Sequence, residues 1–158
     1  MTKSNPTIAY LKTLINKPFL RSISPSTLLL GGTLRHIDVG EAWIDYPIKK
    51  EMSNPIGMIQ GGFLAAIIDD TIGLAFFSMD PKFMFTTTNL NVNFLFGARV
   101  GEVIHAKANV IRMGKKIANF ECKVFNAAGE VIASSTTNLV VTTVKAIQFA
   151  DLHHHQQI

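Results

Sequence analysis

Asn54-Pro55-Ile56-Gly57-Met58-Ile59-Gln60-Gly61-Gly62 runs directly into Phe63-Leu64-Ala65-Ala66-Ile67-Ile68 and then Asp69-Asp70. Proline and glycine mark the first half as a loop. The glycine pair opens a stretch that is apolar on every side, Gly61 to Met79, and Asp80-Pro81 closes it. A helix apolar all round is a buried one. Two acids within such a helix are costly, because a charge taken out of water needs a partner. A backbone donor at a helix start with an acid about two turns later is a layout suited to acyl transfer.

The flanking sequence is mostly strand. Apolar residues at Ile8, Leu11, Leu14 and Ile15 recur at helical spacing over Thr7–Ile15, after Pro6 and before Pro18. Ser22 to Ser26 reads as a connector. Thr27–Ile37 reads as a strand in which Leu28 and Leu30 alternate and Gly31-Gly32 marks a bulge. Glu41–Ile48 alternates Ala42, Ile44 and Tyr46 against Trp43, Asp45 and Pro47. Phe83–Phe96 reads as one long strand, with Phe85, Thr87, Asn89, Asn91, Asn93 and Leu95 on one face. Glu102–Met113 and Lys116–Asn126 are joined by a short glycine turn. Asn126-Ala127-Ala128-Gly129 is a second turn, and Glu130–Val144 a last strand. Two strands, a buried helix and four antiparallel strands predict an α+β fold.

Composition narrows the class. A chain of 158 residues suits a single domain. Its 47% hydrophobic and 16% charged residues leave apolar surface to hide, which predicts a homo-oligomer or a large ligand groove. The net charge of +4 has no long Lys/Arg block, so it suits an anionic small molecule and argues against nucleic acid as a partner. Cys122 is the sole cysteine and sits in an alternating strand, which predicts a buried, inert thiol and a reducing compartment. The amino terminus lacks the pattern of a signal peptide, and no apolar run reaches the ~18 residues of a membrane span. The expectation is a cytoplasmic protein with no membrane partner. His153-His154-His155 stands in a tail without spaced metal-ligand partners, and no metal site is expected there.

The stretch from Asn54 to Gly73 resembles the hotdog-fold acyl-CoA thioesterases of the phenylacetate-degradation type, relatives of 4-hydroxybenzoyl-CoA thioesterase. It has an Asn, then Gln in the His/Gln position six residues on, then Gly-Gly, then Asp69 eight residues after Gly61, then Gly73. The resemblance extends more weakly from Leu28 to Val144. It implies an antiparallel sheet wrapped around one long central helix. With the short N-terminal helix this divides the chain into residues 1–26 (helix and connector), 27–146 (hotdog domain) and 147–158 (a disordered tail). It also implies hydrolysis of an acyl-CoA to the free acid and CoA, with no cofactor or metal, CoA being part of the substrate. The site would lie at a dimer interface, and two dimers often pair into a tetramer.

By that resemblance Asp69 is the catalytic acid, as a general base on water or as a nucleophile toward the thioester. Gly61 would offer its backbone N–H to the developing oxyanion, where the helix start favours negative charge. Asn54 and Gln60 would orient carbonyl or water. Gln60 departs from the His of most relatives: it keeps the hydrogen bonds but takes up no proton near neutral pH. Thr87 would hold the water, with a register ambiguous by one within Thr86-Thr87-Thr88. Asp70 reads as a structural acid that caps or pairs with a neighbour at a subunit contact. Arg99, Arg112, Lys115 and Lys116 are candidates for the CoA phosphates. Phe76, Phe77, Phe83, Phe85 and Phe94 suit core filling or an acyl pocket. A non-catalytic acyl-CoA or lipid-binding protein of the same fold is the competing reading. A hydratase would need a His with an acid, and the internal histidines His36 and His105 lie in strands far from Asn54–Asp69.

Overall fold

Small residues at the centre of the sheet make room for a bulky helix. Ala42, Ala106, Ala108, Ala118 and Cys122 are fully buried on the inner face, opposite Ile67, Ile68, Ile72 and Phe76 of the helix, which are equally buried. Each large side chain so covered contributes ~1.5–3 kcal/mol. The computed structural model describes residues 5–19 and 24–147. Its elements are α1 (Pro6–Lys12), α2 (Pro25–Leu30), β1 (Thr33–Asp38), β2 (Glu41–Pro47), α3 (Gly61–Phe77), β3 (Phe83–Phe94), β4 (Val103–Met113), β5 (Ile117–Phe125) and β6 (Val131–Lys145). The strands form one antiparallel sheet, ordered β1-β2-β4-β5-β6-β3, against whose inner face α3 packs. This is the α+β, sheet-around-helix fold the sequence implies. No helix of the described residues is long and apolar enough to cross a membrane. The tail from residue 148 onward, with its three histidines, lies outside the described residues, as do residues 20–23 of the connector.

Four expectations need correction. Helix α1 ends at Lys12, not Ile15; Asn5 caps it by accepting the Ile8 amide at 3.0 Å. Residues 25–30 are helical, not extended. Pro25 opens α2 and Gly31, at φ +71°, closes it in the left-handed conformation, so the glycine that suggests a bulge is a helix stop. Helix α2 thus straddles the boundary after residue 26.

The third correction concerns α3. Gly62, Ala66 and Asp69 form an exposed stripe on it, so one flank of this helix is open in the single chain. The fourth concerns β3. Thr87 pairs with Leu139 and Asn89 with Asn138, leaving Thr88 as an extra residue. This bulge switches the faces. Phe85 and Thr87 face α3 before it, and Leu90 and Val92 pack inward after it, so Asn89, Asn91 and Asn93 do not share a face with Thr87. β3 is also the sheet edge, and Phe94, Leu95 and Phe96 beside it are more than half exposed.

Cys122 is buried in the core, which pushes its thiol up to about 12. That places it far from the thiolate form a nucleophile needs.

Candidate active site

Helix α3 begins on a loop pinned at several points. The Ile59 amide donates to the Ala98 carbonyl and the Gln60 amide to the Met52 carbonyl, both at 2.8 Å. Asn54 holds the turn before it: its side-chain oxygen accepts the amides of Ile56 and Met58, each at 3.1 Å. Gln60 is the helix N-cap, and its Oε1 accepts the Phe63 amide at 3.2 Å. Glutamine is not among the favoured capping residues, and the sequence gives no signal for this role. The amides of Gly61 and Gly62 are the unbonded donors that a helix start leaves. A Cβ on Gly61 would lie 3.3 Å from the Phe94 ring, so glycine also fits the close approach of β3.

Two turns on, Asp69 is exposed and accepts a hydrogen bond from the Thr87 hydroxyl at 2.9 Å. This settles the register within the Thr triplet: Thr87 is the residue that faces the helix. Asp70 points into the fold instead. Thr27 of α2 donates to its Oδ1 at 2.5 Å, and the buried Tyr46 hydroxyl of β2 donates to its Oδ2 at 2.9 Å. Burial is the largest influence on Asp70 and raises its pKa, against the lowering effect of those two hydrogen bonds. Burial likewise raises Tyr46 well above its ordinary value. Asp70 is paired as expected, but with Thr27 and Tyr46 of its own chain and not at a subunit contact, because its side chain turns into the fold toward α2 and β2.

Not all candidates meet. Asp69 is eight residues beyond Gly61, a rise of about 12 Å along the helix axis, too far for one thioester carbonyl to touch both in one chain. Asn54 and Gln60 belong with Gly61; Thr87 belongs with Asp69. Arg99 is exposed beside the α3 start, where it bridges to Met58. Arg112, Lys115 and Lys116 are exposed at the opposite end of β4, roughly 30 Å away at ~3.3 Å per residue. Among the phenylalanines, Phe76 is fully buried against Phe85 and Phe120 and fills the core. Phe77 and Phe85 are half-buried in edge contact, beside Gly73. Phe83 and Phe94 are exposed.

An antiparallel sheet wrapped on one long helix is the hotdog fold. The model of the thioesterase superfamily matches residues 56–133. The chain is 26% identical over 95 residues to human acyl-coenzyme A thioesterase 13, spanning 60% of this chain and 68% of that protein. A phenylacetic acid degradation-related protein of Ralstonia eutropha JMP134 superposes with a TM-score of 0.73 at 25% identity, over 85% of this chain and 99% of the other. The protein smu.793 of Streptococcus mutans UA159, solved bound to acetyl CoA, superposes with a TM-score of 0.69 at 17% identity, over 81% of this chain and 97% of the other. The match to the thioesterase superfamily covers 78 of the 158 residues, just under half of the chain.

Proposed function

We propose that the protein hydrolyses acyl-CoA thioesters to the free acid and CoA in a site completed by a second copy of the chain. The observation that carries this reading is the pairing of Asp69 with Thr87 on the open flank of α3. The match of residues 56–133 to the thioesterase superfamily and the likeness to an acyl-coenzyme A thioesterase support the reaction class.

In the general-base route, Asp69 takes a proton from a water held by Thr87. The water attacks the thioester carbonyl, whose oxygen gathers negative charge at the Gly61 amide. The tetrahedral intermediate collapses and expels the CoA thiolate, which takes up a proton. In the nucleophilic route the Asp69 carboxylate attacks the same carbonyl, forming a mixed anhydride that water then opens. Both routes need the helix start and the carboxylate on one carbonyl. A two-fold copy with antiparallel α3 helices would meet that need twice, since a two-fold contact is reciprocal. The exposed Gly62–Ala66–Asp69 stripe and the apolar β3 edge are the surfaces such a contact would cover. The same arrangement would bring Arg99 of one copy toward the Arg112, Lys115 and Lys116 end of the other, giving the CoA phosphates cations from both.

Thiol release from a panel of short, long and aromatic acyl-CoAs tests the assignment, comparing the native chain with Asp69→Asn and Asp70→Asn. A loss of at least ~10²-fold in Asp69→Asn alone supports it. Binding of acyl-CoA without release by the native chain would make the protein a binding module, consistent with Gln60 serving as a helix cap.

A further inference from the structure

The outer face of the sheet, turned away from α3, carries a second cluster that the thioester reaction does not use. Trp43 and Asp45 of β2 stand directly opposite Lys107 and His105 of β4. Together with Phe125 of β5 and Arg35 of β1 they line an open depression of about 500 Å³. The charges within it are unequal. Asp45 is satisfied on both oxygens: Arg35 Nε lies 2.6 Å from Oδ2, and His105 Nδ1 lies 2.6 Å from Oδ1. With Nδ1 so committed, the His105 Nε2 is the ring atom left for a ligand. Lys107 has no carboxylate partner among the described residues. Its half-buried ammonium is held 4.4 Å from the centre of the Trp43 ring and 5.0 Å from that of Phe125. Ring faces attract a cation but do not neutralise it. The site is therefore a fixed positive charge between two aromatic walls, beside the small residues Ala127 and Gly129 of the β5–β6 turn.

We propose that this depression binds a small aromatic carboxylate. One unbalanced ammonium matches one carboxylate, in a charge-assisted contact with Lys107. A flat apolar body matches walls built from Trp43, Phe125 and the turn. A more highly charged anion such as phosphate finds the single counter-charge but no use for the walls. The site lies across the sheet from Asp69, so its occupant need not enter the thioester site.

Trp43 is the chain's single tryptophan, so its fluorescence reports on this depression. The full chain is titrated with benzoate, with inorganic phosphate and with chloride, at constant ionic strength. The expected result is a saturable change with benzoate, at least ~10-fold weaker binding of phosphate, and no saturation with chloride. Lys107→Met, which keeps the stem against the rings, should weaken benzoate at least ~10-fold, the usual loss of one charge-assisted contact. It should leave thioester turnover unchanged. Asp69→Asn should leave the benzoate curve unchanged. Non-saturating quenching of equal slope in the native chain and Lys107→Met would overturn the proposal. So would saturable binding that survives Lys107→Met but is lost in Asp69→Asn, because the ligand would then sit at the helix.

Discussion

The Thr87 hydroxyl reaches the Asp69 carboxylate at 2.9 Å from the last position in β3 before the extra residue Thr88. Upstream of that bulge Phe85 and Thr87 face the helix; downstream Leu90 and Val92 pack against the core. Thr87 is the last residue before the switch, and it falls level with Asp69.

If Asp69 is the reacting carboxylate, as proposed, the hydroxyl that donates to it should matter through position. Thr87→Val is expected to lower kcat roughly 10- to 10²-fold, the scale of one hydrogen bond to a charged group. Thr87→Ser should restore most of it. Equal loss in both variants would mean that the methyl group, not the hydroxyl, is what the site needs.

If two chains share each site, two dead variants should repair one another. Gly61→Pro removes the amide at the first helical position, where proline is tolerated, and leaves the helix. Asp69→Asn removes the acid. Each alone should be nearly inactive. An equal mixture, dissociated and reassembled, should regain about a quarter of native turnover, because half the dimers are mixed and each holds one intact site. No recovery, with mixed dimers demonstrated, would mean that each chain acts alone.

Asp70 makes a pH prediction. Burial raises its pKa in the folded chain above the unfolded value of ~3.9. The folded state therefore holds its proton more tightly, and the stabilisation this gives is present below the unfolded value and fades as pH rises through the folded one. Asparagine does not titrate there. The stability of the native chain minus that of Asp70→Asn should fall as pH rises from about 4, and then level off. Urea unfolding of the pair across that range measures it. A difference that grows with pH would show that the Thr27 and Tyr46 hydrogen bonds outweigh burial.

Gly40 turns β1 into β2 at φ +76°, its amide donating to Ser78 Oγ at 2.8 Å. A Cβ there would meet Val110 Cγ1 at 2.4 Å. Gly40→Ala combines a left-handed backbone with overpacking and should cost about 2–4 kcal/mol. For a domain of this size that is a fall in Tm of roughly 4–16 °C by calorimetry. A change near zero would mean that the turn rearranges.

The regular parts of this fold are legible in the sequence because they follow one period each. Ala42, Ile44 and Tyr46 alternate without a break, and the helix from Gly61 runs uninterrupted to the turn before Pro81. What is not legible breaks a period. Thr88 adds a residue that no side chain announces, within three identical threonines. Leu28-Leu29-Leu30 suits a strand as well as a helix turn, and only the left-handed Gly31 decides. The open flank of α3 is hidden for a different reason: glycine and alanine look apolar whether they face a core or a groove. The register of Asp69 and Gly61 is carried by spacing along the chain, and spacing survives folding. The Asp45–His105 pair is invisible because its members lie far apart in sequence and meet only through strand register.

Asp69 and Asp70 differ by one position and therefore by about 100° around the helix axis. An apolar helix on an apolar sheet has little of its own to choose one azimuth over another, since greasy contacts are non-directional. The two hydroxyls that grip Asp70, one from α2 and one from β2, supply the missing directionality. They act as a keyway: with the inner carboxylate locked, its neighbour is swung to the open flank, and the direction of one acid is set by the burial of the other.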